Sequence, residues 1–522
     1  MMNNIFKTIV AGAFASVAFA SCSDFLVTEP TTQVAETEFY KTEDEMLKGL
    51  YAVNADVKVR LMEIWAYSSL LSDESETGGG KGEGVWKTKW DTFSYNTNSC
   101  FGEWGYGTWW NEWDFGIYNG VIDACLLVDK LAGSNLSESV KKPIEAEARF
   151  YRALFYNYLF MGYEQFPLIK HYLAASEMYT VAKGTRDEIF DFMMEDLSDE
   201  YISALPDRSS TPQGRICKDA ARVLRTKIIL FHRAEADYPK ALADMKEIIG
   251  SGRYSLDPDY LHLWVKDGEW GSENIYDVAY GGNGSDTGNG FVNGVGGRSL
   301  QDPRSAEQGG LCSGYGQNTM PSTIFNMFKE GDVRREGTVL DYRIEAQKVN
   351  DLVAQGKLPA GSTFYVSEEQ ENFEWLGHYK YTPRKENASD INPASNYSVP
   401  FRFYRYADVL LLGTELEARI NGNVSSEGQG WFDQVRDRAF QDQNHRISLS
   451  GKSKQEILDI IFEERGYEFM DEMQRWFDIL RFDKGTEILG NKGWTEKYRY
   501  FPIDQSEIDR AKGGLTQNPG WL

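Results

Sequence analysis

Six of the chain's 14 tryptophans lie within 28 residues, separated by glycine, asparagine and tyrosine rather than by the apolar spacing of a helix. They are Trp86, Trp90, Trp104, Trp109, Trp110 and Trp113. The last two lead into an apolar helical stripe and are assigned to the core, whereas the other four occupy loop-like sequence. A flat ring exposed in a loop can stack on the apolar C–H face of a sugar. The cluster therefore predicts an oligosaccharide-binding surface, with core packing as the alternative for each ring.

A second aromatic and glycine-rich stretch, VAYGGNGSDTGNGFVNGVGG, occupies positions 278–297. Its glycines permit a flexible loop or a close approach of the backbone to a ligand, and they do not fit the G-x-G-x-x-G nucleotide motif. Tyr280, Phe291 and Tyr315 supply further rings for the predicted surface. Asp73 and Asn98, near the tryptophans, are weaker polar candidates for the same ligand.

Catalysis is the alternative to binding, because five carboxylates lie near the tryptophans: Asp73, Glu74, Glu103, Glu112 and Asp114. Glycoside hydrolysis requires two carboxyl groups at a fixed separation, and neighbouring acids are expected anyway in a chain with 79 aspartates and glutamates. No G-x-S-x-G motif indicates an esterase or peptidase, and the five histidines are too dispersed for an H-E-x-x-H zinc site. A G-K-S at 451–453 has Arg446 where a P-loop needs its first glycine. We expect a protein that is not an enzyme.

Neither a metal site nor a disulfide framework is indicated. Asp286, with Asn283 and Asn289, offers oxygen ligands, but the spacing misses the EF-hand pattern, so a solvated loop is favoured over calcium and no cofactor is predicted. Four cysteines follow Cys22 without any C-x-x-C pair, and three pairings stay open among Cys100, Cys125, Cys217 and Cys312.

The amino terminus reads as a lipoprotein leader. Lys7 precedes a 12-residue apolar stretch from Ile9 to Ala20, and Cys22 follows small residues of the kind that a signal peptidase accepts. Residues 1–21 are therefore predicted to be a signal peptide, and 22–35 a lipidated tether. Phe19 stands where such leaders usually carry leucine, and ordinary cleavage with Cys22 as a free thiol is the alternative.

Charge and length restrict the function classes further. Removing residues 1–21 takes away one lysine and changes the formal charge from −24 to −25 over 501 residues. An acidic chain is poorly suited to phosphate backbones, so nucleic acid is not expected as a partner. No later run of 18 apolar residues predicts a membrane-spanning helix.

Helical periodicity dominates the rest of the chain. It predicts amphipathic helices over 36–57, 110–131 and 140–162. Residues 220–249 read as two helices that meet near Asp237, in the manner of a tetratricopeptide hairpin, and 403–440 read as a second pair. One long helix is predicted from Lys454 to Phe482, with its charged residues mainly paired along the helix itself.

The predicted fold class is mainly α: a tetratricopeptide-like stack of helix pairs packed against a less regular, loop-rich half that binds ligand. Residues 36–522 are expected to form one domain. Two long non-helical insertions, at about 71–109 and 263–401, are the expected ligand-binding segments, since loops this long are usually functional.

Five segments in order along the chain resemble the SusD/RagB family of outer-membrane nutrient-binding lipoproteins. They are EARFYRALFYNYLFMGYEQFPLI, PSTIFNMFKEGDVRRE, FYRYADVLLLGTELEARI, IFEERGYEFMDEMQRWFDILRF and YFPIDQSEIDRAKGGLTQNPGW. Gly466 replaces a family arginine and Asp504 a family proline. The likeness covers essentially the whole mature chain.

The resemblance implies a lipid-anchored protein on the cell surface of a Gram-negative outer membrane. It implies a SusC-like TonB-dependent transporter as the partner, and an oligosaccharide or polysaccharide that is bound without chemistry and passed to the transporter for nutrient uptake. Peptide binding by the same fold stays open, because some members of the family bind peptides. No family motif carries ligand-binding residues to fixed positions of this sequence.

Overall fold

The computed structural model describes most of the chain after its amino-terminal segment. The described residues are 39–83, 85–98, 116–174, 176–177, 180–281, 288–389, 396–511 and 513–521, with only the backbone described at 60–63, 66, 85 and 86. The predicted signal peptide, the tether with Cys22, and the segment with Cys100, Trp104 and Trp109 lie outside these residues.

Helices dominate the described chain. In the first half they are α1 (Glu43–Leu70), α2 (Val85–Asp91), α3 (Ile117–Ala132), α4 (Glu138–Tyr163), α5 (Arg186–Asp196), α6 (Asp199–Ala204), α7 (Lys218–His232) and α8 (Tyr238–Gly250). In the second half they are α9 (Phe291–Val295), α10 (Ser322–Met327), α11 (Arg334–Thr338), α12 (Tyr342–Ala354), α13 (Tyr406–Asn421), α14 (Ser426–Phe440), α15 (Lys454–Phe469), α16 (Arg475–Arg481), α17 (Gly485–Leu489) and α18 (Gln505–Arg510).

The strands are short and pair two by two. They are β1 (Glu76–Thr77), β2 (Asn274–Val278), β3 (Asn318–Thr319), β4 (Val339–Asp341), β5 (Leu376–His378) and β6 (Phe401–Arg405). The antiparallel pairs are β1 with β3, β2 with β6, and β4 with β5. Each pair therefore ties together segments that are distant in the sequence.

The helix-pair stack predicted from the sequence is confirmed. Helix α7 packs on α8, α8 on α13, and α13 on α14, so successive hairpins bury their apolar stripes against one another. Leu224 and Ile228 on α7 and Met245 on α8 are completely buried at this contact. Gly422, in the sequence Asn-Gly-Asn at 421–423, ends α13 in a left-handed conformation with φ of 72°.

Two predicted helices differ from those observed. Helix α1 begins at Glu43, where Thr42 and Glu45 form a capping box, and continues to Leu70 rather than Val57. The expected helix from Lys454 to Phe482 is two helices, α15 and α16, because Asp471 and Met473 between them have positive φ angles of 66° and 60°. Left-handed residues cannot continue a right-handed helix.

The expectation of non-helical insertions is wrong in part. The first insertion contains α2, and the second contains α9 to α12. The hydrophobic pattern did not predict helix α12, because its buried face consists only of Tyr342, Glu345 and Val349. Asp341 caps the start of this helix. The second hairpin also begins differently, since Phe403–Arg405 belong to β6 rather than to a helix.

Charged residues of the carboxy-terminal helices are buried and pair mostly across elements, not along one helix. Arg405 bonds Glu472 at 2.8 Å, Glu273 at 2.5 Å and Glu468 at 3.0 Å. Arg465 likewise bonds Asp408, on α13, at 2.6 Å. The prediction of pairing mainly along one helix is wrong, because these ion pairs join Glu468 of α15 and Glu472 to β6, and Arg465 of α15 to α13.

Among the described residues, no helix is both long and apolar enough to span a bilayer. Cys125, Cys217 and Cys312 are free thiols. The described part of the chain contains no group of three or more His, Cys, Asp or Glu side chains placed to hold a metal ion.

Candidate functional site

An open cleft of about 740 Å³ lies in the loop-rich half. Helix α9 and five other chain segments of the second insertion contribute its lining: Asn293, Leu300, Gln301, Asp302, Pro303, Leu311, Cys312, Ser313, Gly314, Tyr315, Thr363, Lys385 and Tyr397. The lining mixes apolar side chains with hydroxyl and amide groups. A concave site with these properties is the usual form of a small-molecule or oligosaccharide site.

One wall is a backbone ladder that places Tyr315 at the rim. The N–H of Tyr315 donates to the carbonyl of Asn293 at 2.6 Å, and the N–H of Gly314 donates to that of Gly297 at 2.9 Å. A Cβ atom on Gly314 would lie 2.5 Å from the Cα atom of Gly296, so this approach requires glycine. The Tyr315 side chain is 54% exposed.

A second wall is a single antiparallel bridge. Gln301 and Tyr365 exchange backbone hydrogen bonds of 2.8 and 3.0 Å. The Tyr365 side chain is 48% exposed, which makes it a second surface tyrosine on a segment that forms the cleft. Leu300 and Leu311 pack beneath with Tyr342 and fix both walls to α12.

Two lining residues carry buried oxygen atoms without a hydrogen-bond partner among the described residues. These are the Oδ1 atom of Asn293 and the hydroxyl of Tyr397, whose side chains are 3% and 0% exposed. The nearby thiol of Cys312 is only a weak hydrogen-bond partner for the Tyr397 hydroxyl. Burial raises the pKa of Tyr397, so its hydroxyl keeps its proton and can donate. An unpaired buried polar atom costs free energy, which a ligand that pairs it would recover.

The sequence-predicted rings do not gather at one place. Tyr315 lines the cleft, as expected of an exposed loop aromatic. Trp90 lies on α2, is 2% exposed and meets the ring of Tyr67 edge-on at 3.9 Å. Phe291 is 4% exposed and meets Trp65 edge-on at 3.8 Å. The expectation that Trp90 and Phe291 present faces to a ligand is wrong, because both rings are in the core.

Phe291 nevertheless contributes to the site indirectly. It is the first residue of α9, and its contact with Trp65 anchors the helix that carries Asn293 into the cleft lining. Its backbone N–H donates to the Oδ1 atom of Asn289, whose Nδ2 group donates to the carbonyl of Val399. Asn289, considered above as a calcium ligand, thus holds the loop through its amide.

The remaining candidates lie elsewhere or outside the described residues. Tyr280 is half-buried and donates from its hydroxyl to the carbonyl of Lys58 at 3.2 Å. Asp73 bonds Arg475, and Asn98 is exposed with its N–H bonded to the side chain of Asn96. The side chain of Trp86, and all of Trp104, Trp109, Asn283 and Asp286, lie outside the described residues, although the backbone of Trp86 is in α2.

The structure adds Asn293, Gln301, Tyr365 and Tyr397 to the candidate site. The sequence located the insertion that holds them but not the residues themselves. Tyr365 lies in the stretch TFYV, whose β-branched and aromatic residues are typical of a short extended segment, and that is the one local signal. Nothing in the sequence distinguishes Asn293 from other asparagines, because its unpaired oxygen atom arises from packing.

Comparison with known proteins gives two matching family models. One, described as "SusD family", matches residues 250–497, which include the cleft. The other, described as "Starch-binding associating with outer membrane", matches residues 25–230. Together they cover residues 25–230 and 250–497.

Individual relatives are distant but extend along nearly the whole chain. The SusD-like protein P25 of Formosa agariphila is 23% identical over 501 residues, covering 91% of this chain and 90% of its own. A solved laminarin-binding SusD-like protein is 25% identical, with a TM-score of 0.75 over 92% of this chain and 100% of its own.

A further solved structure contains a ligand. The surface glycan-binding protein A of Bacteroides thetaiotaomicron in complex with laminarihexaose is 21% identical to this chain. The TM-score is 0.73 over 91% of this chain and 99% of the other, a likeness that establishes the fold. With both family models matched in order and the same architecture recovered, the chain belongs to the SusD/RagB family.

Proposed function

We propose that the cleft beside Tyr315 binds an oligosaccharide or polysaccharide without breaking its bonds. The observation that carries this proposal is the pairing of an exposed ring with buried, unpartnered oxygen atoms in one open cleft. A sugar ring offers an apolar C–H face to Tyr315 and hydroxyl groups to Asn293 and Tyr397. The laminarin-binding and laminarihexaose-bound relatives support a glycan as the ligand.

The carboxylates of the described chain favour binding over hydrolysis. Among the lining residues that the structure describes, Asp302 carries the single carboxyl group, and both of its oxygen atoms are bonded internally. Asp73 is paired with Arg475, and Glu74 is 1% exposed. An acid and base pair flanking a glycosidic bond would need two accessible carboxyl groups.

The predicted leader completes the proposal. A lipid on Cys22 would hold the protein at the outer membrane through a short polar tether, and the match to "Starch-binding associating with outer membrane" supports this location. A SusC-like TonB-dependent transporter is the partner that would receive the glycan. Co-purification of the lipidated chain with such a transporter from membranes tests this partnership, and recovery of the chain alone would contradict it.

Glycan binding is tested with the mature chain carrying Cys22→Ser, titrated with oligosaccharides and, separately, with peptide mixtures. We expect a glycan to bind with its length unchanged, and Tyr315→Ala to weaken that binding at least tenfold. Tyr172→Ala is the matched control, because Tyr172 is also exposed, at 42%, and does not line the cleft. Binding of peptides alone would refute the glycan proposal, and shortened glycan products would refute the non-catalytic one.

A further inference from the structure

The ionised side chains of the cleft are bonded inside the protein. Both oxygen atoms of Asp302 accept from the Arg304 side chain, at distances from 2.7 to 3.1 Å, and one also accepts from the N–H of Leu311 at 2.8 Å. Arg304 is 2% exposed and also bonds Glu345 at 2.6 Å. The Asp302 carboxylate is therefore neutralised by a buried cation and presents no free charge to a ligand.

Lys385 is the cation among the described lining residues, and most of its N–H groups are already bonded. Its ammonium donates to the carbonyl of Asp302 at 2.7 Å and to that of Arg304 at 2.6 Å. Two of its three N–H groups are thus used to hold the loop. Arg298, behind Tyr315, directs both terminal nitrogen atoms to Glu83 at 2.8 and 2.7 Å.

Apart from the third N–H of Lys385, the described lining groups that are left for a ligand are uncharged. They are the Tyr315 ring, the Gln301 side chain, the hydroxyls of Ser313 and Thr363, and the unpartnered oxygen atoms of Asn293 and Tyr397. The Oδ1 atom of Asn293 is an acceptor only, so it can be paired by a sugar hydroxyl but not by a carboxylate or a sulfate ester. The chain as a whole carries a net charge of −24, which repels anions further.

We propose that this cleft selects neutral glycans and rejects carboxylated and sulfated ones. The inference rests on the proposed glycan-binding function and names its substrate class. An anionic sugar would lose water on entering the cleft, and the described lining offers it only one N–H of Lys385 in return. A neutral sugar loses weaker hydration and recovers hydrogen bonds from Asn293 and Tyr397.

Titration of the Cys22→Ser mature chain with laminarin and chemically sulfated laminarin, at low and physiological salt, tests the selectivity. Parallel panels of neutral polysaccharides (starch, mannan, xylan) and acidic ones (alginate, polygalacturonate, carrageenan) accompany it. We expect the tightest binder to be neutral and its sulfated form to bind at least tenfold more weakly. A tightest binder that is acidic, lost in Lys385→Gln, would overturn the selectivity while keeping glycan binding. Failure of every glycan would refute both proposals.

The variant Asn293→Leu tests the residue assignment. Leucine has the same number of side-chain heavy atoms, although it is bulkier, and it removes a buried oxygen atom that has no partner among the described residues, so the thermal midpoint should change little. Neutral-glycan affinity should fall at least fivefold in the same variant. A fall in stability with unchanged affinity would show that Asn293 is structural, and would overturn its role in selection.

Discussion

Arg475 donates two parallel hydrogen bonds of 2.8 Å to the carboxylate of Asp73, although 402 positions separate the two residues in the sequence. The guanidinium group is 6% exposed and the carboxylate 27%. Burial disfavours the charged form of Asp73, but Arg475 outweighs it, so the pKa of Asp73 is lowered. The Asp73 carboxylate, predicted from the sequence as a weak ligand contact, instead connects α16 to the loop after α1.

Replacing Asp73→Asn should therefore affect stability and not binding. Loss of a half-buried bidentate pair should lower the free energy of unfolding by about 2 kcal/mol, measured by denaturant unfolding. Asp44→Asn is the control, since Asp44 pairs with Lys48 on the exposed surface of α1 and should change stability by less than about 0.5 kcal/mol. A large loss of glycan affinity in Asp73→Asn, with stability retained, would return Asp73 to the ligand site.

Glu74, next in sequence, should make stability fall as the pH rises. Its carboxyl is buried, accepts from the N–H of Asp471 at 2.8 Å, and has a pKa raised well above 4.5 by burial first and by the charge of Asp471 second. Above about pH 4.5 the unfolded chain ionises Glu74 while the folded chain retains the proton, so folding becomes less favourable.

The variant Glu74→Gln keeps an acceptor for Asp471 and has no proton to lose. Its stability relative to the unmodified chain should be least near pH 4 and should increase toward pH 8, in thermal unfolding followed by circular dichroism. A stability difference that is constant across this range would mean that Glu74 has the same pKa in the folded and unfolded states.

Glu415 should produce the opposite dependence at acid pH. Burial opposes its ionisation, but Arg481 at 2.5 Å and Arg419 at 2.7 Å prevail and lower its pKa from 4.5 to about 2. Stability from this group is present above pH 4.5 and is lost as the pH falls toward 2, which amounts to about 3 kcal/mol.

The variant Glu415→Gln should be less stable than the unmodified chain at pH 7 and should approach it near pH 2. Glu427→Gln is the control, because the Glu427 side chain is 60% exposed and its pairing with Lys246 is a surface contact. Parallel acid-unfolding curves for the unmodified chain and Glu415→Gln would contradict the assignment.

Two glycines in helices should respond oppositely to alanine. A Cβ atom on Gly120 of α3 would lie 2.4 Å from the Phe155 ring of α4, so Gly120→Ala should cost about 1–3 kcal/mol. Gly430 of α14 has no atom within 4 Å of that position, and Gly430→Ala should gain about 0.5–1 kcal/mol from helix propensity. Equal effects in thermal unfolding would show that the α3–α4 contact adjusts freely.

The sequence predicted those parts of the fold that depend on local periodicity. The α7–α8 hairpin was predicted from apolar residues that recur at helical spacing, such as Leu224 and Ile228, and from the turn sequence that separates the two helices. The break between α15 and α16 has no such local cause. It depends on Asp471, whose N–H bonds Glu74 397 positions earlier and whose carboxylate accepts from the indole of Trp65.

The candidate site was predictable only in outline. Tyr315 stood out because it lies in glycine-rich sequence where an aromatic ring has no helical neighbours. Trp90 has the same local pattern, yet its ring is covered by Tyr67 of α1. The residue spacing within the insertion does not predict this contact. Whether an aromatic ring in an insertion faces solvent depends on elements that are distant in the sequence. Local sequence patterns do not show how those elements pack.

The contacts of residues 471–475 with α1 and the loop that follows it also set an order of events during synthesis. The partners of Trp65, Asp73 and Glu74 emerge from the ribosome about four hundred residues later, at separations of 406, 402 and 397 positions. The contacts of α1 and the following loop with residues 471–475 cannot form until nearly the entire polypeptide has been made. Contacts of such long range slow folding, and they leave the unfinished chain open to chaperones until residues 471–475 have been made.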